Sequence, residues 1–290
     1  MTPCSALKTT PVLDTSRASL DRPLPSLGAW AQHFSSQDIP VLAASAAELE
    51  VLRANEDSVD AHLIGESFSS DPLMTLKVLI AAAQLGRERR NADAETVTSA
   101  VVLMGITPFF TTFGPQLTVA EWLGDMPDAL RGAEAVLRRS ERAARYALAF
   151  AAHRMDQDAQ IIHSAALLHD FTEVLLWCHA PALASEIQRL QSADPTLRSA
   201  RAQMQVLGIE LSALEQALMK IWHLPPLLAH ITDDRREANS QTQCVRLAVR
   251  LARHSALSWE NPAIPDDVKD IGALLNLGAE PTLRLLQDIA

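Results

Sequence analysis

An all-α fold is predicted for this chain, and three observations predict it. Ala and Leu dominate a composition with only 4% aromatic residues and a single Tyr, whereas sheets lean on aromatic and β-branched residues. From Asp38 onward, apolar residues recur at helical spacing almost without interruption. Asp-Pro pairs and single glycines punctuate these runs as helix starts and stops do, and no alternating segment of useful length occurs.

Residues 1–35, rich in Pro, Ser and Thr, read as a flexible N-terminal segment. Residues 36–127 are read as a first helical subdomain. Within it Asp71-Pro72 opens a helix, the Asp capping and the Pro filling a position that needs no N–H, and Gly86 is the expected left-handed stop. A second helix is expected from Asp93 to Met104, ended by Gly105. Pro108, Gly114-Pro115, Gly124 and Pro127 are dense enough to mark a boundary. Residues 128–290 form the second subdomain. Asp128 is the expected cap of a long helix whose apolar positions include Leu130, Ala133, Leu137, Ala144, Leu148 and Ala151. Next comes the helix SAALLHDFTEVLLW, residues 164–177. Asp194-Pro195 predicts another start and Gly208 its end, and Ser212 with Glu215 predicts a capping box. That helix stops before Leu224-Pro225-Pro226, with His223 at its end. Helices over 239–258 and 266–277 follow, with Gly278 as a stop.

The 290 residues, 48% of them hydrophobic, suffice for a sizeable core. A net charge of −10 opposes general affinity for nucleic acid, which needs clustered positive charge. Arg outnumbers Lys heavily (Lys only at 8, 77, 220 and 269), which points to a GC-rich bacterial coding sequence. Cys4, Cys178 and Cys244 are widely spaced and odd in number, so a disulfide framework is not implied. With neither a signal peptide nor a membrane span in the text, a cytoplasmic location is expected.

His169-Asp170 lies in the middle of SAALLHDFTEVLLW, an apolar run in which a carboxylate needs a partner. Adjacent helical side chains diverge by ~100°, so both reach one ion only if both face the same cavity, with further ligands from other helices. As a dipeptide the signal is weak. The surrounding blocks add to it. ALLHDF, the downstream LGIELSALEQALMKIWHLPPLL, and the upstream DIPVL, SDPLMTLKVL and VTSAVVLMG occur together and in order. Over roughly residues 36–280 they resemble the HDOD family, bacterial domains related to the HD metal-dependent phosphohydrolases.

The resemblance implies an HD-like helical bundle in two subdomains and lets each ligand position of a working HD hydrolase be checked. The pair itself is His169 and Asp170. The first histidine position falls on Arg139, in VLRRSERAARYA, and the last aspartate position on Val249, in LAVRLA. Extra ligand histidines of some relatives are replaced by Leu211, after Glu210, and by Asp234-Arg235. A divalent ion needs ~4–6 donor atoms, and Arg and Val supply none. A degenerate metal site is therefore expected, with no catalytic residue, metal or cofactor. Arg139 is expected to make a bidentate pair with Asp170 in place of the ion. Arg139, His169, Asp170, Asp234 and Arg235 together form a candidate polar or anion site.

The remaining histidines get bland readings. His153, His163 and His179 are expected as surface or hydrogen-bonded core residues, and His230 and His254 carry no assigned role. Arg131, Arg138, Arg139, Arg142, Arg145 and Arg154 read as a solvated face with helical pairs such as Glu134–Arg138 and Glu141–Arg145, the alternative being an anion site. Arg87, Glu88, Arg89 and Arg90 read as a polar loop. The resemblance implies signal transduction through binding. No room remains beside the HDOD-like portion for a GGDEF, EAL or receiver domain, so other signalling proteins are expected in trans. A cyclic dinucleotide or other anion is a candidate ligand, and neither nucleic acid nor membrane is an expected partner. The alternative function is a residual HD-type phosphohydrolase.

Overall fold

The computed structural model describes residues 19–89, 93–194, 196–233, 235 and 239–289. Among them every extended element of regular structure is helical, and the backbone pairs across strands only at an isolated bridge between Val41 and Thr118. One apolar core runs from Trp30 to Leu286.

The chain builds α1 (Leu27–Ser35), α2 (Ala43–Ala54), α3 (Ala61–Phe68), α4 (Pro72–Arg89), α5 (Val97–Met104), α6 (Ile106–Thr112) and α7 (Val119–Leu123). Helix α1 falls inside the segment read as flexible. Its Trp30 and Phe34 are fully buried, and Trp30 Nε1 donates to the Leu207 carbonyl at 3.2 Å. Two aromatic side chains buried against a neighbouring helix order a segment whose composition alone looks unstructured. Asp71 does cap α4: its Oδ1 accepts from the backbone N–H groups of Leu73 and Met74, while Oδ2 accepts from Leu42 at the entry to α2. Gly86 does not stop α4, which continues to Arg89 and draws part of the expected polar loop into helix. Thr96, not Asp93, caps α5, through a reciprocal box with Ser99. Gly105 and Gly124 do take positive φ, +89° and +43°, at the ends of α5 and α7.

The second part holds α8 (Pro127–His153), α9 (Ala159–Leu168), α10 (Phe171–His179), α11 (Pro181–Ala193), α12 (Ser199–Leu207), α13 (Leu211–Ile221), α14 (Pro226–Ile231), α15 (Ser240–His254), α16 (Ile264–Leu275) and α17 (Ala279–Ile289). Helix α8 is the central element, packed against α9, α10 and α15. Pro127 opens it, and Asp128 sits in its first turn paired with Arg131. Gly132 admits Trp177 of α10: a Cβ there would lie 2.4 Å from the indole ring. Asp194 forms an Asx turn with Thr196 instead of capping a helix, and α12 starts at Ser199; Pro195 lies outside the described residues. The expected box of Ser212 with Glu215 does not form, because α13 already begins at Leu211, whose N–H is taken by Gln203 Oε1. After α13 the chain turns through His223 at φ +56°, with Leu224 N–H on the Met219 carbonyl and His223 N–H on that of Lys220. This is a Schellman stop with His where Gly is usual. Asn276, left-handed at φ +55°, ends α16 in place of Gly278.

Candidate functional site

The segment SAALLHDFTEVLLW does not run as one helix. Helix α9 ends at Leu168 with His169 as its cap residue, and Asp170 is the residue at which α10 begins. The break sets the Asp170 carboxylate at the N-terminal end of α10, where the helix dipole favours negative charge. It also turns the carboxylate toward α8 and α15.

Asp170 and His169 are both buried. Asp170 Oδ2 accepts from Arg139 Nε at 2.9 Å, and Arg139 Nη2 donates to Glu173 Oε2 at 2.7 Å. The pairing with Arg139 therefore exists, but the expected fork-on-fork geometry does not: one guanidinium is shared between two carboxylates. The other oxygen, Oδ1, accepts from Arg253 Nη2 at 2.5 Å and lies 3.2 Å from His169 Nδ1. Burial alone would raise the Asp170 pKa, but Arg253, Arg139 and His169 outweigh it and hold the carboxyl well below its usual range. Burial works to lower the Arg139 pKa, and the Glu173 and Asp170 carboxylates overcome it and raise it.

Arg253 and Glu173 were not legible as site residues. Arg253 lies one turn beyond Val249 on α15, and residues four apart share a helix face. The position expected to lack a ligand is thus followed by a cation on the same side. Glu173 carried a signal of its own, as the second carboxylate in an apolar run. Arg235 is not brought to the site. It is exposed and pairs with Glu210 at 2.9 Å; Asp234 lies outside the described residues. Leu211 does line the cavity, and Val249 is buried in the core.

Around this network lies a cavity of about 410 Å³, walled by α8, α10, α11, α12 and α13 and by Arg253 and Ala256. Trp177, Leu176 and Ile187 supply apolar wall, and Gln188, Gln203 and Ser212 supply neutral polar groups. His153, His163 and His179 stay away from it. His153 Nε2 lies 3.2 Å from the Leu275 carbonyl, burial lowers the His163 pKa, and His179 meets Trp122 edge-on at 4.9 Å. Cys178 is buried, its thiol pushed up to about 12 by desolvation, and burial, the largest influence, pushes Cys244 to about 11.

The HD relationship implies a divalent metal at His169-Asp170, and the residues present do not fit one. Both oxygens of Asp170 are engaged by guanidiniums, and Arg139 occupies the side from which a histidine would have to ligate. Among the described residues, no group of three or more His, Cys, Asp or Glu is placed to hold a metal ion.

Comparison with known proteins agrees with the helical architecture. The model of the HDOD domain matches residues 39–237, and the chain belongs to that family. A solved structure of the MmoQ response regulator from Methylococcus capsulatus str. Bath superposes with a TM-score of 0.63 at 17% identity, over 87% of this chain and 99% of that one. A virulence factor from Campylobacter jejuni subsp. jejuni superposes with a TM-score of 0.62 at 16% identity, over 90% and 93% of the two chains. At such identities the likeness is one of fold. No curated protein sequence matches the chain. Among the described residues no helix is long and apolar enough to cross a membrane.

Proposed function

We propose that this chain is a non-catalytic signalling protein that works by binding, with partner proteins supplied in trans. One observation carries the reading: Arg139 and Arg253 hold both oxygens of Asp170, the residue that a working HD hydrolase would give to its metal. Two fixed positive charges stand where a divalent ion would contribute two, so the buried carboxylate is satisfied without one. A metal entering the site would have to displace a guanidinium and then meet it as a like charge. The fold shared with a protein called a response regulator fits a signalling role.

The alternative, a residual phosphohydrolase, has His169 and Asp170 in its favour and also Glu173 and Glu215, two more carboxylates on the same cavity. Metal analysis of the purified chain, followed by assay of a phosphodiester panel with Mn, Mg and Ni, separates the two. The binding reading expects metal far below one equivalent and no turnover above the metal blank. Stoichiometric metal with turnover would establish the hydrolase instead.

A further inference from the structure

The cavity's charges and their state of occupation narrow the kind of molecule that suits it. Two guanidiniums and three carboxylates line it: Arg139 and Arg253 against Asp170, Glu173 and Glu215. Arg139 is 16% exposed and committed to Asp170 and Glu173. Arg253 differs: it lines the cavity, is 42% exposed and is bonded to Asp170 through Nη2. Glu173, 31% exposed, accepts from Arg139 at Oε2 and also lines the cavity. The accessible charges are thus one cation and one anion, near enough for Glu173 to act electrostatically on Arg253. A polyphosphate entering here would face more carboxylates than guanidiniums. A molecule carrying both signs satisfies both groups without displacing either from Asp170 or Arg139.

We propose that the cavity binds a small zwitterion of the amino-acid type. Its carboxylate lies on Arg253, its ammonium group on Glu173, and its side chain against Trp177 and Leu176. This rests on the binding reading above and names its ligand class. The cyclic dinucleotide considered from the sequence is the wrong charge for this lining.

The test is thermal shift and calorimetry on the full chain with each free L-amino acid. The N-acetyl and amide forms of each binder, and inorganic phosphate, serve as comparators. At least one free amino acid should raise the Tm by several degrees and bind one to one. Blocking either its amine or its carboxylate should weaken binding by about tenfold or more, since a charge-assisted contact is lost. Glu173→Gln, which keeps an oxygen for Arg139, should weaken the free amino acid similarly while affecting the N-acetyl form, which has no ammonium group, less than Arg253→Lys does. Ala200 of α12 lines the cavity and is exposed, so Ala200→Trp should abolish binding with the Tm of the unliganded protein maintained. Binding of phosphate alone, equal binding of blocked and free forms, or no shift with any amino acid would overturn the proposal. In a metal-free, inert protein those results remove the zwitterion and leave the non-catalytic reading standing. Stoichiometric metal with turnover removes that reading by a separate measurement.

Discussion

Truncating Arg139 to Ala removes the partner of two carboxylates at once. Asp170 keeps Arg253 and His169, but Glu173 loses the hydrogen bond made to its Oε2. Breaking a buried ion pair by removing one member costs ~3–5 kcal/mol, because the surviving charge stays desolvated. Since Arg253 still neutralises Asp170, the lower end of about 3 kcal/mol applies. In a chain of this size that corresponds to a Tm lower by roughly 5 °C. Circular-dichroism melts at neutral pH measure it directly. Arg138→Ala is the matched control: Arg138 is exposed and meets Glu134 at 3.4 Å, a surface pair worth below ~1 kcal/mol. The combination Arg139→Met with Asp170→Leu should recover only part of the loss, because it removes both members of one buried pair but leaves Arg253 without Asp170 and Glu173 without Arg139. An Arg139→Ala melt within about 1 °C of wild type would refute the reasoning, since a ~3 kcal/mol loss cannot hide in so small a shift.

Other consequences are equally accessible. The Asp170 carboxyl is depressed in the folded state, so its stabilisation is complete above the ordinary carboxylate pKa of ~3.9 and fades as pH falls through the depressed value. The Tm gap between wild type and Asp170→Asn should therefore hold steady from pH 8 to about pH 5 and close only in more acidic solution; a gap that closes near pH 6 would contradict the pairing. Gly132→Ala forces a Cβ against the Trp177 ring and should cost about 1–3 kcal/mol with a shifted tryptophan emission, both read in one fluorescence melt. Burial and raised pKa values should keep Cys178 and Cys244 unmodified by iodoacetamide in native protein, with both alkylated after denaturation, as peptide mass spectrometry will show.

Helical periodicity and the blocks around ALLHDF made the fold class and the place of Arg139 readable before any coordinates. What escaped is physical in each case. A helix start depends on which backbone N–H groups lack partners, and a side chain elsewhere can take them, as Gln203 does for Leu211. Glu215, which looked like half of a capping box, is a buried carboxylate on the cavity. Gly86 shows that glycine tolerates a helix interior when tertiary packing favours continuation, at a cost of about 1 kcal/mol. Gly208 ends α12 left-handed as expected, and further left-handed stops fall on Met155, His223 and Asn276, where the capping hydrogen bonds outweigh the penalty of a side chain. Arg253 was missed because family position pointed at Val249, while the cavity is reached from one turn further along the same face. The break at His169-Asp170 has no breaker residue to announce it, and at the break the Asp170 carboxylate meets two guanidiniums.

The central claim is that two arginines have taken the place of a metal ion. Electron paramagnetic resonance of Mn(II) titrated into the wild-type chain tests it most directly, with Arg139→His, which restores an imidazole to the expected ligand position, measured alongside. Wild-type protein should leave the free Mn(II) signal undiminished at equimolar metal. Loss of one equivalent of free Mn(II) to the wild-type chain, abolished by Asp170→Asn, would contradict it.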